Sequence, residues 1–177
     1  MWNNYLVLVI LVPVIVAIVN IFVPKVLKKI LTLAGILASL YFSIRIFIIG
    51  GLSFSFLNET ILKNDALSNF ILLFINILSL IILIYSLKNV KSEFESKFFL
   101  LFPLTVGFCN GVAVSANIIA FLIFWGLSGL VVYLFGLLKG KVAAESSRKA
   151  FIIIGSSDVL LLLGLILMQS YAKTNNM

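Results

Sequence analysis

The sequence contains no histidine and a single cysteine, Cys109, among its 177 residues. Haem, iron–sulfur and tetrahedral zinc sites are built largely from cysteine and histidine, so this chain is not expected to assemble such a site alone. With one cysteine, a disulfide within the chain is excluded. The composition therefore predicts no cofactor and no metal, and we interpret Cys109 as a small apolar residue of the interior.

Charged residues are also scarce, at 11% of the chain, whereas 63% of the residues are hydrophobic. A soluble domain contains about a quarter charged residues, so the composition indicates an integral membrane protein. Glycine-rich phosphate loops, paired carboxylates and a nucleophile beside a base are missing from the sequence. Hydrolase chemistry is therefore not expected.

The predicted fold class is an all-α integral membrane protein with about six transmembrane helices. A bilayer requires about 20 apolar residues at ~1.5 Å of rise each, and six segments meet that length. The predicted segments are 5–23, 30–49, 69–87, 98–115, 117–138 and 150–170.

Two connections are informative. Residues 98–138 contain no charge and are too long for one spanning helix, and the polar cluster there predicts a turn near Ser115, Ala116 and Asn117. Residues 50–68 form the longest predicted loop, in which "LSFSFL" alternates polar and apolar residues. A small strand pair and a surface loop fit this stretch equally well.

The net charge of +7 reflects membrane topology rather than binding to nucleic acid. Ten basic residues follow the first, third and fifth segments, and two lie on the other side. Because basic residues concentrate on the cytoplasmic side, this asymmetry predicts that both termini lie outside. The ten are Lys25, Lys28, Lys29, Lys88, Lys91, Lys97, Lys139, Lys141, Arg148 and Lys149, and the two are Lys63 and Lys173.

Asp158 is the one charged residue of the sixth segment. A carboxylate at this depth is costly, and such groups usually line a pathway for ions or protons. One interpretation is therefore a proton or cation relay. The other is a structural carboxylate that is neutral or hydrogen-bonded by Ser156, Ser157 or a neighbouring helix.

Two further features have simpler explanations. Arg45 lies near the outer end of the second segment, where its side chain can reach the surface, although it is also a candidate partner for Asp158. In "FWGLSGLVVYLFG", the small residues Gly126, Ser128 and Gly129 allow another helix to approach closely.

Three spaced motifs resemble the antiporter-like subunits of respiratory complex I, a family that includes Mrp-type cation/proton antiporters and the membrane arms of energy-converting hydrogenases. The first motif lies at the two ends of the third segment, the second lies on the fifth segment, and the third leads into the sixth segment. The matching positions are Asp65, Ser68, Tyr85, Ser86, Asn117, Trp125, Gly129, Leu130, Tyr133, Lys149, Phe151 and Asp158.

The resemblance divides the chain into 1–96, with three leading helices and an outer loop at 50–68, and 97–177, with the first three helices of an antiporter-like repeat. The sequence departs from the family at two positions. Gly126 stands where the family usually has a glutamate central to proton movement, and Gly155 where many members have arginine. The family's essential lysines lie on later helices, beyond Met177.

The resemblance implies a membrane subunit of a proton- or sodium-translocating complex that is driven by redox chemistry elsewhere or by an opposing ion gradient. Asp158, Ser156, Ser157 and Asn117 are the candidate pathway residues. The implied partners are the lipid bilayer and other membrane subunits, including one that supplies the missing helices, in a prokaryotic cytoplasmic membrane. We expect an obligate complex, and no redox centre or catalytic residue in this chain.

The sequence leaves two alternatives open. The chain could be a non-conducting structural subunit that keeps the family scaffold, as the loss of the glutamate at Gly126 suggests. It could also be a six-helix protein that resembles the family by chance, because hydrophobic sequences converge in composition.

Overall fold

Six α-helices and one β-hairpin make up the regular structure of residues 4–56, 59–139 and 141–172, the part of the chain that the computed structural model describes. A short 3-10 turn, Leu137–Lys139, precedes the last helix. The elements are α1 Asn4–Phe22, α2 Lys25–Ile49, β1 Ser53–Phe56, β2 Glu59–Lys63, α3 Ala66–Asn89, α4 Ser92–Val114, α5 Ile118–Gly136 and α6 Lys141–Ala172.

All six helices are long and apolar enough to cross a membrane. The predicted all-α membrane bundle is thereby confirmed, and the chain is integral to a membrane. Several helices extend beyond the predicted apolar segments; α2, for example, begins at Lys25 directly after Pro24. The placement of Lys25, Lys28 and Lys29 in a loop was therefore wrong, because a helix need not end where its apolar stretch ends.

The connection between α2 and α3 contains a strand pair rather than an irregular loop. Strands β1 and β2 are antiparallel, with Ser53 opposite Lys63 and an irregularity between Phe54 and Ser55. The chain enters β1 through Gly50 and Gly51, whose φ angles of 62° and 61° lie in the left-handed region that glycine adopts without strain.

The predicted turn between the fourth and fifth helices is also confirmed. Helix α4 ends at Val114, and the Asn117 side chain accepts a hydrogen bond of 2.8 Å from the backbone N–H of Ile119, which caps α5. The backbone N–H of Ala116 donates to the carbonyl of Ile61 in β2 at 2.9 Å. The hairpin thus lies against this turn at one end of the bundle.

Helices α1 to α4 form the core. Leu6, Val9 and Leu72 are fully buried in a cluster at the hairpin end, and Ile36 and Phe99 are buried in a second cluster towards the other end. Small residues let the helices approach each other. A Cβ added at Gly107 would lie 2.7 Å from Val14 Cγ2, and one at Gly35 would lie equally close to Val16 Cγ2.

A buried polar network joins these four helices. The Asn110 side-chain amide of α4 donates 3.0 Å hydrogen bonds to the carbonyl of Val9 in α1 and to the hydroxyl of Ser39 in α2. The Asn76 amide of α3 donates to Asn110 Oδ1 at 3.0 Å, and the Ser39 hydroxyl donates to Asn76 Oδ1 at 2.7 Å. Three side chains thus satisfy one another where no water is expected.

A second set of polar contacts lies towards the basic end. The Asn20 amide donates to the Thr32 hydroxyl at 2.9 Å and to the Phe99 carbonyl at 2.7 Å. Lys28 donates to the Ser96 hydroxyl at 2.6 Å. Together with an ion pair between Lys29 and Glu95, these contacts bring the starts of α2 and α4 to the same end of the bundle. Their cytoplasmic location stays a prediction.

Helices α5 and α6 lie outside this core. Helix α5 packs on α4, where Phe124 fills the space beside Gly111, and α6 lies against α5 and the Leu137–Lys139 turn. None of the described α6 side chains is buried, whereas half of the α4 span is. Helix α6 is therefore the most open element of the described bundle.

We predict that Asn110→Ala destabilises the chain in mild detergent by about 1–3 kcal/mol, because it removes the buried hydrogen bonds that Asn110 forms with the Val9 carbonyl, the Ser39 hydroxyl and the Asn76 amide. Asn89→Ala is the control, since the Asn89 amide is exposed and bonds the carbonyl of Tyr85 in its own helix. Equal thermal unfolding of the two variants would contradict this role for the network.

Candidate functional site

The carboxylate of Asp158 faces α5 near the middle of the span of α6. The Trp125 indole N–H donates to Asp158 Oδ1 at 3.0 Å, and the Trp125 ring stacks on Phe121 at a centroid distance of 5.7 Å. Asp158 is half-buried and forms no ion pair within the described residues. The Trp125 indole is thus the hydrogen-bond partner of this carboxyl group among the described residues, which is little compensation for a carboxyl group at this depth.

A groove of about 390 Å³ runs between α5 and α6 and contains this pair. Trp125 and Asp158 lie near one end, and Tyr133 and Phe151 lie further along with their ring centroids 4.8 Å apart. The walls are mostly small or apolar, and include Ser128 and Gly129. The groove thus offers one anionic group in otherwise apolar surroundings.

The two serines beside Asp158 do not point their hydroxyls at its carboxylate. Ser156 donates to the carbonyl of Ile152 at 2.8 Å, and Ser157 donates to the carbonyl of Ile154 at 2.7 Å. Both residues are exposed. They satisfy their hydroxyls within α6, as serines of apolar helices often do.

Asn117 lies far from Asp158. It caps α5 and its amide is 3.5 Å from Glu59 of the hairpin, whereas Trp125 lies eight residues further on, about 12 Å along the helix at 1.5 Å per residue. The four candidate pathway residues therefore do not form one continuous hydrogen-bonded chain in this structure.

The two positions that depart from the family lie in open space. A Cβ added at Gly126 or Gly155 would meet no atom within 4 Å, and the same holds for Gly129 and Gly164. These glycines therefore do not serve packing between the described helices. Their open side is a surface on which a larger side chain or a neighbouring helix would fit.

Arg45 is engaged elsewhere than at Asp158. Its guanidinium lies 6.0 Å from the ring centroid of Tyr5 in α1. Cys109 is half-buried on α4. Neither residue extends the groove between α5 and α6.

Asp65 and Ser68 form a capping box at the start of α3. Ser68 donates its backbone N–H to Asp65 Oδ1 at 2.7 Å, and its hydroxyl accepts from the Asp65 N–H at 2.7 Å. The backbone and side-chain hydrogen bonds from Ser68 lower the pKa of the Asp65 carboxyl below its ordinary value. Like most N-caps, this one is expected to stabilise its helix by about 1 kcal/mol.

The remaining motif positions are spread over the bundle. Tyr85 is exposed near the far end of α3, and Lys149 is exposed near the start of α6. Tyr133 contacts Phe151 in the groove. The structure therefore brings together Trp125, Tyr133 and Asp158 along the groove, and leaves the motif of α3 at the two ends of that helix.

Sequence reasoning did not single out the buried network of Ser39, Asn76 and Asn110. A signal was present, because Ser39 follows Thr32 by seven residues and Asn76 follows Asn69 by seven, a spacing that keeps polar residues on one helix face. Polar residues on one face of an apolar helix indicate an inward-facing surface.

No protein-family model and no curated protein sequence matches the chain. Solved structures do match. A chain in the structure of the membrane-bound sulfane sulfur reductase, described as an archaeal respiratory membrane complex, superposes with a TM-score of 0.82 at 20% sequence identity. The match covers 97% of this chain and 38% of that chain. The two share a fold, and the present chain spans less than half the length of its structural neighbour.

Proposed function

We propose that the chain is a membrane subunit of a multi-subunit respiratory complex, equivalent to the front part of an antiporter-like subunit. A second polypeptide would supply the later helices. Two lines support this proposal: the spaced motifs of Asp65, Trp125 and Asp158, and the fold shared with part of a longer chain from an archaeal respiratory membrane complex. A prokaryotic cytoplasmic membrane is the location that fits both.

The openness of α6 is the observation that carries this proposal. A spanning helix with no buried side chain has little to hold it in place, yet it bears Asp158 in the groove and Gly155 in open space. A carboxylate facing lipid is costly, so such a residue normally faces the interior of a bundle. Helices from a partner subunit packed on α5 and α6 would place it there.

Within such an assembly, Asp158 would contribute to a proton or sodium path. The Trp125 indole fixes one carboxylate oxygen at 3.0 Å and leaves the other for an ion, a proton or water. Ser156, Ser157 and Asn117 would join this path only by exchanging their present hydrogen bonds for water. Redox chemistry in another subunit, or an opposing ion gradient, would drive the movement.

The second candidate is a structural subunit that conducts nothing. Gly126 favours it, because the position that usually carries the family's glutamate has no side chain and faces open space. A lone carboxylate with a tryptophan partner can then serve as a docking contact for a neighbouring subunit rather than as a relay.

We predict that Asp158→Asn lowers ion translocation by the complex in sealed vesicles by about a hundredfold, since the loss of a positioned proton-transfer group typically costs that much or more. Asparagine keeps the shape and can still accept from Trp125, so assembly should be unchanged. Asp65→Asn is the matched control, because the same change outside the groove preserves an N-cap. Full translocation by a normally assembled Asp158→Asn complex would exclude the relay role.

Gly126→Glu separates the two functions. The described chain has room for the new side chain, so the variant should fold and assemble, whereas Gly111→Leu should disrupt folding because a Cβ at that position would lie 2.5 Å from Phe124. We predict that Gly126→Glu raises proton movement relative to Gly126→Gln in vesicles containing the assembled complex. Equal proton movement by both variants would favour the structural subunit.

A further inference from the structure

A second cavity, distinct from the groove of Asp158, opens at the basic end of the bundle. We call it the wedge: a space of about 1110 Å³ between the connection from α3 to α4 on one side and the end of α5 and the start of α6 on the other. Its lining includes Lys91, Phe94, Phe98, Phe135, Leu138 and Ala143.

The wedge exists because α6 lies against α5 and leaves the neighbouring part of α4 uncovered. At Gly136 the helices are so close that an added Cβ would lie 1.8 Å from the Ser147 hydroxyl oxygen. Gly136 and Ser147 therefore separate the wedge from the groove, and each of them lines both cavities. The volume is that of a site for a large ligand rather than for a few waters.

The floor of the wedge is apolar and aromatic. Phe98 stacks on Phe102 with ring centroids 5.4 Å apart and meets the Phe135 ring edge-on at 5.7 Å. Leu138 and Phe94 extend this surface towards the basic end. A rigid apolar floor of this kind suits a hydrocarbon chain better than a soluble anion.

Lys91 is the charged residue among the described residues that line the wedge. Lys91 is exposed there and forms no ion pair within the described residues, whereas Lys29 is neutralised by Glu95. Lys88 and Arg148 are exposed at the same end but do not line the wedge. Basic pockets between spanning helices on the basic side of a membrane protein suit anionic head groups.

We propose that the wedge binds one anionic phospholipid, with an acyl chain on Phe98 and Phe135 and the phosphate at Lys91. The apolar floor and the Lys91 cation at its mouth together select an amphiphile of negative charge. The bound lipid would fill the gap between α4 and α6 and fix the angle at which α6 leaves the core. Lys91, Phe98 and Phe135 lie outside the groove proposed for the partner subunit.

The test uses the chain in vesicles of phosphatidylcholine with a minor fraction of phosphatidylglycerol, released into mild detergent and measured by native mass spectrometry. We expect one retained phosphatidylglycerol per chain. Lys91→Gln should lower its retention about fivefold, the effect of losing one lysine near an anionic head group. Lys88→Gln removes the same charge at the same end but outside the wedge, and should leave retention unchanged.

Two further arms test the apolar floor. Ala143→Phe places a ring in the wedge and should exclude the lipid while the charge at Lys91 remains. Glycerol phosphate carries the same anionic group without acyl chains and should not displace the lipid. Equal retention in the Lys91 and Lys88 variants, displacement by glycerol phosphate, or the absence of retained lipid would each overturn the proposal.

Discussion

Hydrogen bonds among Ser39, Asn76 and Asn110 hold four helices in one register, and the rest of the bundle depends on them. In a membrane, a polar side chain that lacks a protein partner finds no water to replace it. These three side chains and the Val9 carbonyl form hydrogen bonds with one another within α1 to α4. The network contains no titratable group, so its role is to fix geometry rather than to move protons.

Asp158 is subject to the same constraint, but its carboxyl group lacks a full set of hydrogen-bond partners among the described residues. Its one described partner is the Trp125 indole, and the helix that carries it has no buried side chain. The contrast between the closed network of α1 to α4 and the open pair on α5 and α6 is the reason for proposing that a partner subunit packs on α5 and α6.

The groove and the wedge, which both lie along α6, suit different binding partners. The groove presents a carboxylate and glycines with open space at the middle of the span, which suits a neighbouring helix and an ion path. The wedge presents aromatic rings and Lys91 at the basic end, which suits a lipid. Because Gly136 and Ser147 lie between the two cavities, an occupant of either one would influence the tilt of α6 and hence the other.

The number of helices followed from apolar segment length, and the turn at Ser115–Asn117 followed from its polar residues. The start of α2 did not, because apolar length says nothing about how far a helix continues outside the membrane. The pairing of Trp125 with Asp158 could not be predicted from the sequence either, because it depends on the rotation of α5 and α6 about their axes. The relative orientation of Ser156 and Ser157 depends on their rotamers, which a sequence does not specify.

We propose that another polypeptide covers the open face of α5 and α6. The most direct measurement is the native mass of the chain extracted from its own membranes in mild detergent. We predict a large assembly that includes a subunit with lysines inside its membrane-spanning helices. A monomer, or a dimer of 19.6 kDa chains with nothing else bound, would contradict the claim.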